Sequence, residues 1–205
     1  TRDQLYPQTS WVNGAPTESW GFFLTDQITL PDDRTHILVG ARYDKLNGVS
    51  RTTPQVGVNY TINPWLSAYA LYSESFRLNG SYTYQDTREV VTFPPEVGRN
   101  NDVGPKVDLF GRRLSGTLAL FDLERSNVLQ TTASPNPLRP YLNLSGGERS
   151  RGLELDVAGK IGPALTVFAS YAYTDTEVLS SSNPVVVGAP LEGVAKNAVS
   201  AFIKY

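Results

Sequence analysis

Leu153-Glu154-Leu155-Asp156-Val157-Ala158-Gly159-Lys160 alternates with a period of two: Leu153, Leu155, Val157 and Gly159 fall on one side, Glu154, Asp156, Ala158 and Lys160 on the other. Successive side chains of an extended chain point to opposite faces, so this spacing predicts a strand with one apolar and one wet face. The rhythm recurs in segments spanning about 18–30, 35–44, 53–61, 65–76, 101–109, 113–125, 150–160, 164–175 and 194–205. The joints between them come in two kinds. Pro31-Asp32-Asp33-Arg34, Ile62-Asn63-Pro64-Trp65, Phe110-Gly111-Arg112-Arg113 and Ile161-Gly162-Pro163-Ala164 are short and carry the Gly, Pro, Asn or Asp of a tight reversal. Those over about 45–52, 77–100, 126–149 and 176–193 are long and rich in Asn, Gly, Ser, Thr and Pro. Short turns at one rim and long loops at the other are the plan of an up-and-down β-barrel of an outer membrane.

Charge separates the two faces. Lys or Arg facing lipid costs roughly 2–4 kcal/mol at the midplane, so the uncharged side of each strand is the outward one. That rule assigns Ile37, Val39, Ala41 and Tyr43; Val56, Val58 and Tyr60; Leu153, Leu155 and Val157; Leu165, Val167, Ala169, Tyr171 and Tyr173; and Val199, Ala201, Ile203 and Tyr205 to lipid. Arg42, Gln55, Asn59, Ser170, Ser200 and Lys204 then face a wet lumen. Trp20, Tyr43, Trp65, Phe76 and Tyr205 stand near strand ends, where an interfacial aromatic girdle belongs. Asp26, in register with Phe22, Leu24 and Ile28, and Pro105, inside the fifth segment, break the pattern and point to a bulge or an edge. A soluble β-sandwich shows the same half-buried alternation and stays an open alternative at this point.

Composition narrows the chemistry. The 205 residues are 40% hydrophobic and 11% aromatic, enough apolar material for a core or a lipid-facing belt. No run approaches the roughly 18–20 apolar residues of a membrane helix, and Thr1-Arg2-Asp3-Gln4-Leu5-Tyr6 lacks the apolar centre of a signal peptide. A net charge of −2 gives no footprint for nucleic acid. The chain has no Cys and one His, His36, so thiolate metal sites, cysteine nucleophiles and any site needing two imidazoles are excluded. Nucleophile-elbow, phosphate-loop and zinc-helix motifs are missing from the sequence as well. Glu154 and Asp156 point the same way along a strand, flanked by Arg151 and Lys160, which reads as a solvated wall with opposed charges rather than a catalytic pair. The expectation is a protein that is not an enzyme and holds no metal or cofactor of its own.

The order of motifs resembles the TonB-dependent outer-membrane receptors that import ferric siderophores. The residues that carry the resemblance are Trp20-Gly21-Phe22-Phe23-Leu24-Thr25-Asp26-Gln27-Ile28, Leu38-Val39-Gly40-Ala41-Arg42-Tyr43-Asp44, Thr53-Pro54-Gln55-Val56-Gly57-Val58 and Leu66-Ser67-Ala68-Tyr69-Ala70-Leu71-Tyr72-Ser73-Glu74-Ser75-Phe76. They continue with Pro95-Glu96-Val97-Gly98, Leu114-Ser115-Gly116-Thr117-Leu118-Ala119-Leu120-Phe121, Arg149-Ser150-Arg151-Gly152-Leu153-Glu154-Leu155 and Ser170-Tyr171-Ala172-Tyr173-Thr174-Asp175. The resemblance implies a 22-stranded barrel filled by a plug domain. It implies transport in a bacterial outer membrane, with a ferric siderophore as cargo and the TonB–ExbB–ExbD complex as the energy-coupling partner through that plug. With an odd count of nine strands, residues 1–205 are expected to be an interior slice of such a barrel wall, the plug and the remaining strands lying outside it.

In a receptor of this kind the ligand is expected at the extracellular mouth, where Arg77, Tyr82, Tyr84 and Arg88 from the loop after Phe76, with Arg125 from the next extracellular end, are the candidates. Rings stack on flat chelate groups and guanidinium answers carboxylate or hydroxamate oxygens. The alternative for Ser81-Tyr82-Thr83-Tyr84 is a plain strand extension with its tyrosines packed on a neighbouring hairpin. At the level of function, a passive porin-like barrel and a soluble all-β ligand-binding module remain as alternatives.

Overall fold

In a computed structural model the residues described are 19–46, 49–79, 81–84, 86–132, 136, 141–162 and 164–205. Residues 1–18, the first residue of the expected 18–30 segment among them, lie outside these, as does Pro163 of the expected turn at 161–164.

Nine antiparallel strands form one open, singly layered sheet, each hydrogen-bonded to the next in chain order: β1 (Ser19–Thr29), β2 (Thr35–Leu46), β3 (Val49–Asn63), β4 (Leu66–Arg77), β7 (Glu96–Leu109), β8 (Leu114–Thr132), β9 (Tyr141–Ile161), β10 (Leu165–Ser180) and β11 (Asn197–Lys204). β5 (Ser81–Thr83) and β6 (Val90–Thr92) make a separate two-stranded ribbon inside the β4–β7 connection. This is a partial up-and-down barrel wall. Strand β1 at one end and β11 at the other each pair with a single neighbour, so the sheet has two free edges.

Register turns the alternation into two faces. A single row of directly opposed residues crosses all nine strands: Ile28, Ile37, Val58, Ala70, Val103, Leu120, Leu153, Tyr173 and Asn197. Opposed residues share a face, and so do positions two apart. Ile37, Val39, Val56, Val58, Leu153, Leu155, Val157, Leu165 and Val167 therefore stand together on one apolar face. No second layer of protein covers it among the described residues: Val39 is 44% exposed, Leu155 40% and Val199 77%. His36, Asn59 and Tyr69 form one row of the opposite face, and Gln55, Ser73, Asn100, Leu123, Ser150 and Thr176 another.

The short turns are held by local chemistry. Asp32 accepts from the Arg34 and Thr35 backbone N–H groups at 3.0 Å and from the Thr35 hydroxyl at 2.7 Å. These donors, Thr35 Oγ1 foremost, hold its carboxyl below the usual carboxylate range. Asn63 accepts from the Trp65 N–H at 3.0 Å. Phe110, Gly111 and Arg112 lie in the left-handed region at φ 53°, 66° and 66°, which reverses the chain within a few residues.

Several boundaries differ from the sequence reading. Strands β2 and β3 continue to Leu46 and Val49, which oppose each other, so the joint expected to be long is a two-residue connection at 47–48. Strand β7 starts at Glu96, β8 runs to Thr132, β9 begins at Tyr141 and β10 reaches Ser180. Pro105 marks neither an edge nor a bulge: it opposes Ala68 of β4, and the β7–β8 register is the same below it, at Lys106–Thr117, as above it, at Val103–Leu120. Proline has no N–H to give, and β8 comes so close there that a Cβ on Gly104 would sit 1.7 Å from the Leu118 carbonyl oxygen. Asp26 keeps its register opposite Val39 and stays on the apolar face. Arg151 does not flank Glu154 and Asp156: odd-numbered, it belongs to the other face, where it opposes and pairs with Asp175 at 3.3 Å.

Candidate ligand-binding site

Towards the loop-bearing rim the polar face gathers charge where the ends of β4 and β7 lie against the longer strands β8 and β9. Arg77 opposes Glu96, and Arg125 opposes both Gly98 and Glu148, so four charged side chains from four strands share one patch of one face. Arg77 Nη2 donates to Glu96 Oε2 at 3.0 Å, Arg125 Nε to Glu96 Oε1 at 2.8 Å, and Arg125 Nη1 to Glu148 Oε2 at 3.0 Å. The Glu96 side chain is only 9% exposed. Burial works to raise its carboxyl, and the Arg125 and Arg77 guanidiniums outweigh that, holding it ionised below its ordinary value. The two carboxylate oxygens are both occupied by cations, which is how a buried charge is tolerated.

Beside this patch the β4–β7 connection is tied to β8. Asn79 Nδ2 donates to the Pro94 and Asn127 carbonyls, both at 2.8 Å, and Asn127 Nδ2 donates to the Pro95 carbonyl at 3.1 Å. Asn127 itself is in the left-handed region at φ 58°, a conformation Asn tolerates better than most residues. Phe93, 8% exposed, is buried at the root of the ribbon, two residues before Pro95. The ribbon stands on this clamp.

Tyr82 and Tyr84 lie on the ribbon with their rings edge to face, centroids 5.4 Å apart. Arg88 closes the ribbon turn at φ 60°, its N–H donating to the Tyr84 carbonyl at 3.0 Å. The five sequence candidates thus form two clusters: Arg77 and Arg125 on the wall, joined through Glu96, and Tyr82, Tyr84 and Arg88 on the ribbon. Ser81–Thr83 is extended, as the plainer reading expects, yet it pairs only within the ribbon and does not lengthen β4. Glu96 and Glu148 escaped the sequence reading. Their signal exists only in register, because each meets its arginine on another strand.

At the other loops, Gln130 Oε1 accepts from the Ser182 N–H at 2.9 Å and the Ser181 hydroxyl at 3.1 Å, and a one-turn 3-10 helix, Pro184–Val186, is capped by Asn183. The chain then returns along β10, with the Val178 N–H donating to the Ala189 carbonyl and the Thr174 N–H to the Lys196 carbonyl. That return covers the edge of β10 above the start of β11.

The apolar face carries a contrasting array at the same rim. One row reads Glu74, Arg99, Glu124, Arg149, Glu177, alternating in sign across five strands; the next reads Asn101, Asp122, Arg151, Asp175. Arg149 with Asp122, Arg99–Glu74 at 3.5 Å, Arg149–Glu124 at 3.8 Å and Lys196–Asp175 at 3.9 Å are ion pairs of this array. Among the described residues no group of three or more His, Asp or Glu is arranged to hold a metal ion.

A family model described as TonB dependent receptor-like, beta-barrel matches residues 1–205. The metal-pseudopaline receptor CntO of Pseudomonas aeruginosa PAO1 is 38% identical over 209 residues, covering 92% of this chain and 28% of that protein. The ferrichrome outer membrane transporter/phage receptor of Escherichia coli K12 is 30% identical over 172 residues, 77% of this chain and 22% of its own length. Among solved structures, the siderophore receptor PiuA from Acinetobacter baumannii superposes with a TM-score of 0.76 at 21% identity, covering 92% of this chain and 31% of that one. The pyoverdine outer membrane receptor FpvA from P. aeruginosa PAO1 gives 0.74 at 22% identity, with 91% and 28% covered. The chain spans under a third of the length of these relatives.

Proposed function

We propose, since this chain belongs to the TonB-dependent receptor-like β-barrel family, that it forms part of the wall of a receptor importing ferric siderophores across a bacterial outer membrane, energised through TonB. The observation that carries the reading is the row structure of the sheet, in which every proposed lipid-facing residue falls on one uncovered, apolar face whose charges, Asp26 of β1 apart, gather at the loop-bearing rim. Strands β8 and β9, at 19 and 21 residues, are about twice the 9–11 residues that cross hydrocarbon, so their upper halves stand clear of the membrane on the loop side. Ile37, Val39, Val56, Val58, Leu153, Leu155, Val157, Leu165 and Val167 line the lipid. Trp20, Tyr43 and Trp65 sit near the ends of the apolar strands, where rings favour the interface. In this proposal the nine strands supply wall, and the plug and remaining strands of a full receptor come from outside them.

On the opposite face Arg77, with Tyr82, Tyr84 and Arg88 of the ribbon, lines the mouth that receives the chelate. The metal travels as cargo inside its chelator, so binding and release suffice and no covalent step is needed. Names of relatives support this class: metal-pseudopaline, ferrichrome and pyoverdine receptors are all receptors for chelates.

The test is uptake of radioactive iron by a deletion strain carrying the full-length gene, with and without TonB. Uptake that disappears without TonB is expected. Uptake that persists without TonB makes the barrel a passive channel, and a protein recovered as a detergent-free soluble monomer overturns the membrane reading.

A further inference from the structure

We infer that Arg77 is the cation that reads the cargo, that what it reads is an anionic group on the metal chelate, and that Glu96 and Arg125 are positioning residues behind it. The inference rests on the receptor reading above and narrows it to a ligand chemistry.

Four side chains on the polar face make a line of alternating sign: Glu148, Arg125, Glu96, Arg77. The two arginines differ in what they have left to offer. Arg125 is held on both sides, by Glu96 at 2.8 Å and Glu148 at 3.0 Å, and its side chain is 37% exposed. Among the described residues Arg77 makes one ion pair, at 3.0 Å through Nη2, and is 72% exposed. A guanidinium has five N–H donors in a rigid fork, so most of those of Arg77 remain for a ligand while the side chain is already aimed. The line therefore ends in a positive group with free donors. A carboxylate, catecholate or other anionic oxygen pair gains a charge-assisted, two-pronged contact there, whereas a cationic or neutral group gains little.

Glu96 keeps this end in place. Both of its oxygens are engaged and the side chain is nearly buried, so little of it is open to a ligand, and one carboxylate serves two cations. Holding Arg77 in advance lowers the side-chain ordering cost of binding. Arg125, saturated by two carboxylates, anchors Glu96 from behind. By residue type and position both arginines are candidates for the ligand; the ion-pair geometry separates their roles.

The experiment uses the full-length receptor in a strain lacking its chromosomal copy. Chelates from iron-starved culture supernatant are loaded with radioactive iron and split at neutral pH by anion exchange into retained and unretained pools. Uptake is expected from the retained pool, with apparent affinity falling about tenfold or more in Arg77→Ala and Arg77→Gln and less in Arg77→Lys. Glu96→Gln and Arg125→Gln are expected to weaken apparent affinity while leaving the maximal rate unchanged, with partial recovery in Glu96→Asp, a split that simple loss of folded receptor would not give. Because Arg77 is exposed, its variants keep the barrel, checked by heat-modifiable mobility on gels. Uptake confined to the unretained pool, or Arg77→Ala affinity within twofold of wild type, overturns the inference alone. No uptake from either pool overturns the receptor reading and this inference with it.

Discussion

Two charged arrays stand back to back at the same rim, and they are built differently. On the polar face Glu96 is nearly buried and couples two arginines, and the line ends in an exposed, underused guanidinium. On the apolar face Glu74, Arg99, Glu124, Arg149 and Glu177 oppose each other strand by strand, and every cation has an acid on each side. An array closed on itself has little left for a partner. It stitches strands together near the loop-bearing rim, and opposite charges directly across a sheet are worth roughly 0.2–1 kcal/mol each. An array left open at one end can bind. The same residue types give a seam or a site according to whether the last charge is answered.

The contrast between faces is broken most sharply at one strand. Leu155→Arg puts a cation in the middle of the apolar face and is expected to destabilise the reconstituted full-length receptor by about 2–4 kcal/mol in urea unfolding. Glu154→Arg, one residue away on the wet face, is expected to change stability by less than about 1 kcal/mol. Equal losses at the two positions would erase the distinction between faces.

Next comes Glu96→Ala. Breaking a fully buried pair costs about 3–5 kcal/mol, and the exposure of Arg77 reduces this to about 2 kcal/mol. Arg99→Ala in the facing array is expected to cost less than half as much and to depend on salt, because its side chain is 52% exposed. A cost for Arg99→Ala as large as that for Glu96→Ala would show that burial does not separate the arrays.

Asn79→Ala removes two bonds at the root of the ribbon and is expected to cost about 1 kcal/mol, seen as faster proteolysis of the β4–β7 connection while the barrel stays intact. The smallest effect is the pH dependence of the β1–β2 turn. The Thr35 hydroxyl, followed by the Arg34 and Thr35 N–H groups, holds the Asp32 carboxyl below its ordinary value. A lowered folded pKa means that the stabilisation is complete above the unfolded pKa near 3.9 and is lost as pH falls through the folded value. Stability measured from pH 7 down to about 4 should therefore be flat with respect to this residue, and Asp32→Asn should remove the acid-limb loss it contributes. A slope attributable to Asp32 at neutral pH would contradict the hydrogen bonding of the turn.

Strand positions were legible where one face is apolar and the other wet, since alternation is then a contrast of two residue classes. Leu153–Gly159, Leu165–Tyr173 and Ile37–Tyr43 are such segments, and the sheet contains each of them in the expected phase. Legibility ends where both faces turn polar. Asp122-Leu123-Glu124-Arg125-Ser126 and Arg149-Ser150-Arg151 show little alternation, yet the ladder of β8 and β9 runs on through them, because backbone pairing does not require an apolar face. Asn47-Gly48 between two alternating runs is a strong two-residue hairpin signal, and it lies where β2 joins β3.

The candidate site divides the same way. Arg77, Arg125 and the tyrosines of the ribbon were visible as cationic and aromatic residues in long connections. Glu96 was not, because nothing near it in the chain marks a carboxylate for burial. Its role arises when β4, β7 and β8 align so that residues 19 and 29 positions away deliver guanidiniums to its two oxygens. Sequence by itself determined where the alternating segments lie, their phase and which of their faces is apolar, since these follow from local period and residue class. Tertiary structure alone decided which charge answers which, and so which arginine is spent and which is free, because that depends on register between strands far apart in the chain.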